Sequence, residues 1–177
     1  MPATGVGAGS DLGRWTLLGL DGHRTALSSL AGATGTVVVF IANGCPTARA
    51  YEDRLISLQT AWRSRGVDVI AVNSNNPFLS PPDTLSEMAK RAQTRGFNFP
   101  YLKDEDSSLA KRLGAICTPH AFLVDGALRL VYSGRIDDSR VGDRITSRDL
   151  ENAVSDVVAQ RRVAISHTDP FGCSIVW

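Results

Sequence analysis

One cysteine stands where local structure can make a thiol reactive. In Phe40-Ile41-Ala42-Asn43-Gly44-Cys45-Pro46-Thr47-Ala48-Arg49, Cys45 falls between an apolar strand and the start of a helix. The unpaired amides of a first helical turn favour a nearby anion. A thiol held there titrates low and reacts as its thiolate. Pro46 suits the first helical turn because it has no amide donor to lose. Gly44 leaves the approach open, Thr47 can donate to an oxygen-bearing substrate, and Arg49 or Arg54 can add positive charge. Ala48 stands where a Cys-x-x-Cys pair needs its second cysteine, so exchange within that motif is excluded. A two-thiol cycle therefore needs a distant cysteine, a small thiol or another protein. The chain offers Cys117 and Cys173, and Gly172 permits a bend that can deliver the Cys173 thiol.

These residues need a scaffold, and the hydrophobic pattern supplies one. Val37–Ala42 is continuous, β-branched and apolar, as a strand covered on both faces should be. After Cys45, a helix follows in which Tyr51, Leu55, Leu58 and Trp62 share a face, with Gly66 as its stop. Val67–Val72 reads as a second buried strand. Asn73–Pro77 and Ser80–Pro82 carry loop signals. A helix over Thr84–Gln93 has Leu85, Met88, Ala89 and Ala92 as its stripe. A short segment at Phe97–Leu102 and a helical turn at Ser107–Leu113 come next. Ala121–Val124 and Leu128–Tyr132 flank Asp125-Gly126, a hairpin signal. A last helix packs Leu150, Ala153, Val154 and Val157, with Thr146 and Asp149 as a capping box. Short strands at Arg14–Leu20 and Arg24–Leu27 precede all of these around a turn at residues 20–23. Asp137-Asp138 reads as a solvated turn. The order predicts one domain over residues 14–160, a flexible leader at 1–13 and a C-terminal tail at 161–177 that folds back on or near it.

Bulk properties limit the alternatives. The 177 residues are 43% hydrophobic, enough for one packed core. Nineteen basic residues against 18 acidic ones give a net charge of +1. With no dense basic tract, nucleic acid is not an expected partner. The longest apolar run is too short to span a bilayer. Residues 1–10 have neither the basic nor the apolar region of a signal peptide. Three cysteines are too few for a disulfide scaffold, which points to a reducing, cytoplasmic setting.

On Cys45-Pro46-Thr47 after a strand, Gly114-Ala115-Ile116-Cys117-Thr118-Pro119-His120 and Tyr132-Ser133-Gly134-Arg135-Ile136-Asp137-Asp138, the chain resembles the thioredoxin-like superfamily. The likeness is to its alkyl hydroperoxide reductase/thiol-specific antioxidant (redoxin) members. The resemblance implies a three-layer α/β/α sandwich with a mixed central sheet and short N-terminal β additions. It also implies a cis-proline turn at Thr118-Pro119 facing Cys45, whose backbone aligns a thiol substrate. That turn can bring Cys117 near Cys45, while His120 either polarises a substrate or caps the next strand. The Gly172-Cys173-Ser174 ending before Trp177 is similar to the tail of a redoxin subgroup, which favours Cys173 over Cys117 as the resolving thiol. Peroxiredoxins place Thr or Ser three residues before their peroxidatic cysteine within a proline-containing motif. Here those places hold Ala42 and Val38, so only the local end of the motif matches.

The function expected is a thiol-dependent oxidoreductase with antioxidant activity. Cys45 attacks a peroxide oxygen or a disulfide sulfur, and a second thiol closes the cycle. The expected partners are a thiol reductant such as thioredoxin or glutathione and a peroxide or disulfide substrate, with a homodimer compatible. Neither a cofactor nor a metal is expected, and no membrane is engaged. The alternative is a redox-regulatory or metal-binding protein in which Cys45, His120 and another cysteine converge on a soft metal. His23 and His167 add no coherent ligand pattern.

Overall fold

The central strand, β3 (Gly35–Phe40), is buried at all six positions. Its alternating side chains feed two cores. Val37 and Val39 enter one, whereas Val38 and Phe40 enter the other. On one side β3 runs parallel to β4 (Val67–Asn73), in register from Gly35↔Val67 to Phe40↔Val72. On the other it runs antiparallel to β7 (His120–Asp125). In this computed structural model, which describes residues 12–177, the seven-stranded sheet is completed by β1 (Thr16–Leu18), β2 (Arg24–Ala26), β5 (Tyr101–Lys103) and β8 (Leu130–Gly134). The strand order is β2-β1-β5-β4-β3-β7-β8, and the sheet is mixed.

Helices cover both faces, giving three layers. The first core receives Tyr51, Leu55, Leu58, Met88, Leu150, Ala153 and Val154. These come from the break after α2 (Pro46–Ala50), from α3 (Glu52–Trp62), α4 (Leu85–Arg95) and α6 (Asp149–Val158). The second receives Leu27 from α1 (Leu27–Leu30) and Leu109, Ala110 and Leu113 from α5 (Ser108–Leu113). Each fully buried aliphatic side chain stabilises the fold by about 1.5–3 kcal/mol, so the two stripes dominate the energetics. A separate two-stranded ladder joins β6 (Cys117–Thr118) to β9 (Cys173–Ser174). Among the described residues, no helix is long and apolar enough to cross a membrane.

Several local expectations need correction. The helix after Cys45 is broken at Tyr51, whose hydroxyl is drawn to Asp137. The capping box does not form. Thr146 bonds Asp138, leaving the α6 N-cap at Arg148 without a side-chain bond. Asp137 is no solvated turn residue, because it is buried between Tyr51 and Arg54. The hairpin turn is longer than Asp125-Gly126 implies. Asp125 accepts the amides of Ala127 and Arg129, and β8 starts only at Leu130. The expected leader falls largely outside the described residues. Its end at 12–13 belongs to the domain, since Leu12 opens a 3-10 turn and is buried. Residues 161–177 return along the domain. Ser166 and Thr168 bond Ser133 at the edge of β8 before the segment crosses to β6.

Candidate active site

The chain leaves β3, makes a tight turn in which the Cys45 amide donates to the Ala42 carbonyl at 3.3 Å, and enters α2 with Cys45 as its N-cap. Pro46 holds the first helical turn. In this extended cap conformation the Cys45 sulfur turns back on the helix and accepts from the Ala48 amide at 3.3 Å. Its other neighbours come from far along the chain. The Thr118 carbonyl lies 3.2 Å away and the Cys173 sulfur 2.6 Å away. The Thr118–Pro119 bond is cis, and the turn carries Thr118 against the sulfur. Thr118 pairs with Cys173, and Cys117 with Ser174, in the β6–β9 ladder. The site is closed, with Cys45 only 2% exposed.

The two close thiols titrate in opposite directions. Burial works against a Cys45 thiolate, but hydrogen bonds from Cys173, Thr118 and the Ala48 and Cys173 amides outweigh it and lower its pKa. Cys173 is raised, by burial first and then by its bond to Cys45 and the neighbouring negative charge. The amide and hydroxyl of Thr47 offset part of that rise. Of the pair, Cys45 is the sulfur whose thiolate the surroundings favour, and Cys173 the one whose proton they hold.

The other singled-out residues divide. Cys117 is buried and its sulfur faces the Pro119 carbonyl at 3.8 Å. Burial and then the charges of Cys45 and Cys173 push its pKa up to about 11. His120 does not face the sulfurs. Its Nδ1 accepts the Ile116 amide at 3.3 Å, its Nε2 meets the Ser133 hydroxyl at 3.2 Å, and its ring stacks on Phe122. Burial, with a smaller contribution from His167, holds it down at about 4. It therefore braces the 116–120 turn and is not free to join Cys45 on a metal. Arg49 is exposed on α2, and among the described residues no hydrogen bond or ion pair links it to either sulfur. Arg54 is diverted as well, because Asp137 and the Ser139 and Arg140 carbonyls hold its guanidinium. Among the described residues, no group of three or more His, Cys, Asp or Glu is arranged to hold a metal ion.

Behind the Cys45 turn, where the sequence carries only loop signals, lies a polar hub. Buried Asp83 accepts the Asn43 amide at 2.7 Å, the side-chain amides of Asn73 and Asn75 at 2.8 and 3.0 Å, and the Ser80 hydroxyl at 2.5 Å. These bonds overcome the cost of its burial and lower its pKa. Lys103, also buried, donates to the Asn73 side chain and to the Asn75 and Asp83 carbonyls. Tyr101 donates to Asn43 at 3.0 Å. The hub ties the loops after β3 and β4 together and fixes where α2 starts. Its signal in the sequence is the run of Asn residues at 73, 75 and 76 followed by Pro81-Pro82-Asp83.

Comparison with known proteins agrees with this architecture. The model of the AhpC/TSA family matches residues 8–133. A thiol-disulfide oxidoreductase ResA from Geobacillus kaustophilus is 26% identical over 133 residues, covering 74% of this chain and 72% of its own. A hypothetical protein from Sinorhizobium meliloti 1021 superposes with a TM-score of 0.85 at 34% identity, covering 92% of this chain and 90% of its own. A thioredoxin-like protein from Aeropyrum pernix shares the fold, with a TM-score of 0.58 at 23% identity over 68% of this chain and 80% of its own.

Proposed function

The chain belongs to the AhpC/TSA family, and we propose that it is a thiol-disulfide oxidoreductase using Cys45 as nucleophile and Cys173 as resolving thiol. The observation that carries this reading is the Cys45–Cys173 approach of 2.6 Å, with the first thiol lowered and the second raised. A disulfide bond of about 2.05 Å needs only a small closing movement from there. The cysteine missing from α2 at Ala48 is thereby replaced by one from the far end of the described chain.

In the cycle, the Cys45 thiolate attacks one sulfur of a substrate disulfide. That S–S bond breaks, a mixed disulfide forms on Cys45, and the first substrate thiolate leaves. Cys173 then gives up its proton and attacks the Cys45 sulfur. The second substrate thiolate departs and a Cys45–Cys173 disulfide remains. The substrate gains two electrons and the protein loses two, to be restored by a thiol reductant such as thioredoxin or glutathione. A peroxide enters the same cycle if Cys45 attacks its oxygen, giving an alcohol and a sulfenate that Cys173 converts to disulfide and water. The disulfide substrate is preferred here because the donors that lower Cys45 are uncharged and the similar ResA protein is named a thiol-disulfide oxidoreductase.

The test is a thiol map after brief exposure to oxidised glutathione or to peroxide. A Cys45–Cys173 link is expected in the wild type and in Cys117→Ser. Cys173→Ser is expected to lose it, and Cys45→Ala to lose turnover altogether. Full turnover in Cys45→Ala refutes the assignment. A link that survives Cys173→Ser and vanishes in Cys117→Ser reassigns the resolving thiol.

A further inference from the structure

The Cys45 and Cys173 sulfurs sit 2.6 Å apart although they lie 128 residues apart in the chain. The segment that carries Cys173 is held from two sides. On one side stands β6. Beyond the two β6–β9 pairs, the Ile175 amide donates to the Ile116 carbonyl at 3.4 Å. On the other side stands the loop after β4. There the Val176 amide donates to the Asn75 side-chain oxygen at 2.9 Å, and the Val176 carbonyl accepts the Asn76 amide at 2.7 Å. Asn75 is 6% exposed, and each of its polar groups is engaged. Its side-chain amide donates to Asp83 Oδ2 at 3.0 Å, and its backbone amide donates to the Asn73 side chain at 3.1 Å. Its carbonyl accepts Lys103 Nζ at 2.6 Å. The other oxygen of the same Asp83 carboxylate accepts the Asn43 amide at 2.7 Å, just ahead of Cys45. One carboxylate and one side-chain amide therefore span from the turn that presents Cys45 to the strand that presents Cys173.

The relay has a fixed direction. An ionised carboxylate only accepts, so Asn75 must turn its NH2 to Asp83 and its oxygen to Val176. Truncating Asn75 leaves the Val176 amide without its acceptor and Asp83 without one donor, but keeps the Asp83–Asn43 bond and with it the Cys45 turn. We propose that Asn75 is a positioning residue for the second half of the cycle. It docks the Cys173 strand against the Cys45 turn, and so sets how fast Cys173 resolves a mixed disulfide on Cys45. The proposal rests on the reading of Cys173 as the resolving thiol and adds the residue that delivers it. A group bonded to Cys45 takes the space that the Cys173 sulfur fills at 2.6 Å. Resolution therefore starts from a displaced strand and depends on how strongly that strand redocks. Weaker docking has opposite effects on the two steps. It uncovers Cys45, which is 2% exposed, and favours the first attack. It delays the return of Cys173 and slows the second.

The symmetric disulfide of thionitrobenzoate, one equivalent per protein, reads the two steps separately in the full-length chain. The Cys45 thiolate breaks its S–S bond, keeps one half as a mixed disulfide and releases the other as coloured thionitrobenzoate. Cys173 then gives its proton to solvent, attacks the Cys45 sulfur and releases the second half, leaving the Cys45–Cys173 disulfide. In Asn75→Ala the second release is expected to slow about tenfold, as loss of one such hydrogen bond would produce. The first release is expected to be as fast as in the wild type or faster. Asn75→Ser, too short to reach the Val176 amide, is expected to give the same split and serves where the alanine variant folds poorly. A second release as fast as that of the wild type overturns the proposal. So does a change of both releases in the same direction, which assigns Asn75 to the Cys45 turn alone. A wild type that gives only one release, or a second release that persists in Cys173→Ser, overturns the resolving role of Cys173 and the proposal with it.

Discussion

Replacing Ile175 by alanine should free the C-terminal segment without loosening the domain. Ile175 is 4% exposed and packs in the second core, yet its backbone is held at only a few points beyond β9. Truncation removes three buried carbons at about 0.8 kcal/mol each, so docking weakens by about 2 kcal/mol after some relaxation at this end of the core. Every 1.4 kcal/mol is tenfold, so the undocked fraction rises roughly 30-fold. Segments with few anchors open locally at a free energy below that of global unfolding. Hydrogen exchange of the residue 175, Val176 and Asn76 amides should accelerate roughly 30-fold. Amides of β3 should be unchanged. Cys45 is only 2% exposed, and its alkylation by iodoacetamide should quicken by the same factor, because both report one opening. If β3 amides lose protection in equal measure, the segment is part of the global unit. If neither the amides nor Cys45 respond, Ile175 is not what docks it. Either result refutes the reasoning.

Cys173→Ala removes a principal donor to the Cys45 sulfur. The pH midpoint of Cys45 alkylation should therefore move up toward the ordinary thiol range, and an unchanged midpoint would separate the two thiols electrostatically. Asp83→Asn confronts several buried donors with an amide in place of a carboxylate. Urea unfolding should show a loss of about 3 kcal/mol, and a loss under about 1 kcal/mol would mean that the hub does not brace the Cys45 turn. His120 is held neutral in the folded state, with its pKa pressed from 6.5 down to about 4 by burial. Such a base leaves the fold's stability intact above the unfolded value and erodes it as pH falls from 6.5 through about 4. Stability measured across that window should fall less steeply in His120→Gln, and parallel curves would contradict the assignment.

What the sequence makes legible here is what local chemistry determines. The unbroken apolar run of β3, the stripe of Leu55 and Leu58 on α3 and the glycine stop at Gly66 all lie within one or two turns of chain. Gly66 adopts the left-handed conformation that a helix end requires. Cys45 was legible for the same reason, since a strand end, a cysteine and Pro46 are adjacent. The Asp83–Asn43 bond spans 40 residues, Arg54–Asp137 spans 83, and Cys45–Cys173 spans 128. Periodicity carries no information at those separations. Arg54 therefore looked like a cation for the thiol, although a buried carboxylate on the distant 137–141 loop claims it. Polar residues 73–83 looked like loops, because a buried hydrogen-bond hub has the same composition as a solvated turn.

The separation of the two thiols changes what oxidation does to the fold. In a Cys-x-x-Cys pair both sulfurs ride on one helical turn, so closing the disulfide restrains little chain. Here the bond joins residues 128 apart and pins a segment that otherwise rests on a short ladder, a few loop bonds and one buried isoleucine. Cross-linking a loop of that size restricts the unfolded chain by about 4–5 kcal/mol in the entropic treatment. It also removes the docking equilibrium of residues 172–176. The β6–β9 ladder is therefore locked once the two sulfurs are bonded and is free to open only in the dithiol form. With Cys173 as the proposed resolving thiol, redox state and the docking of residues 172–176 become one equilibrium, because the thiol and the docked strand are the same segment.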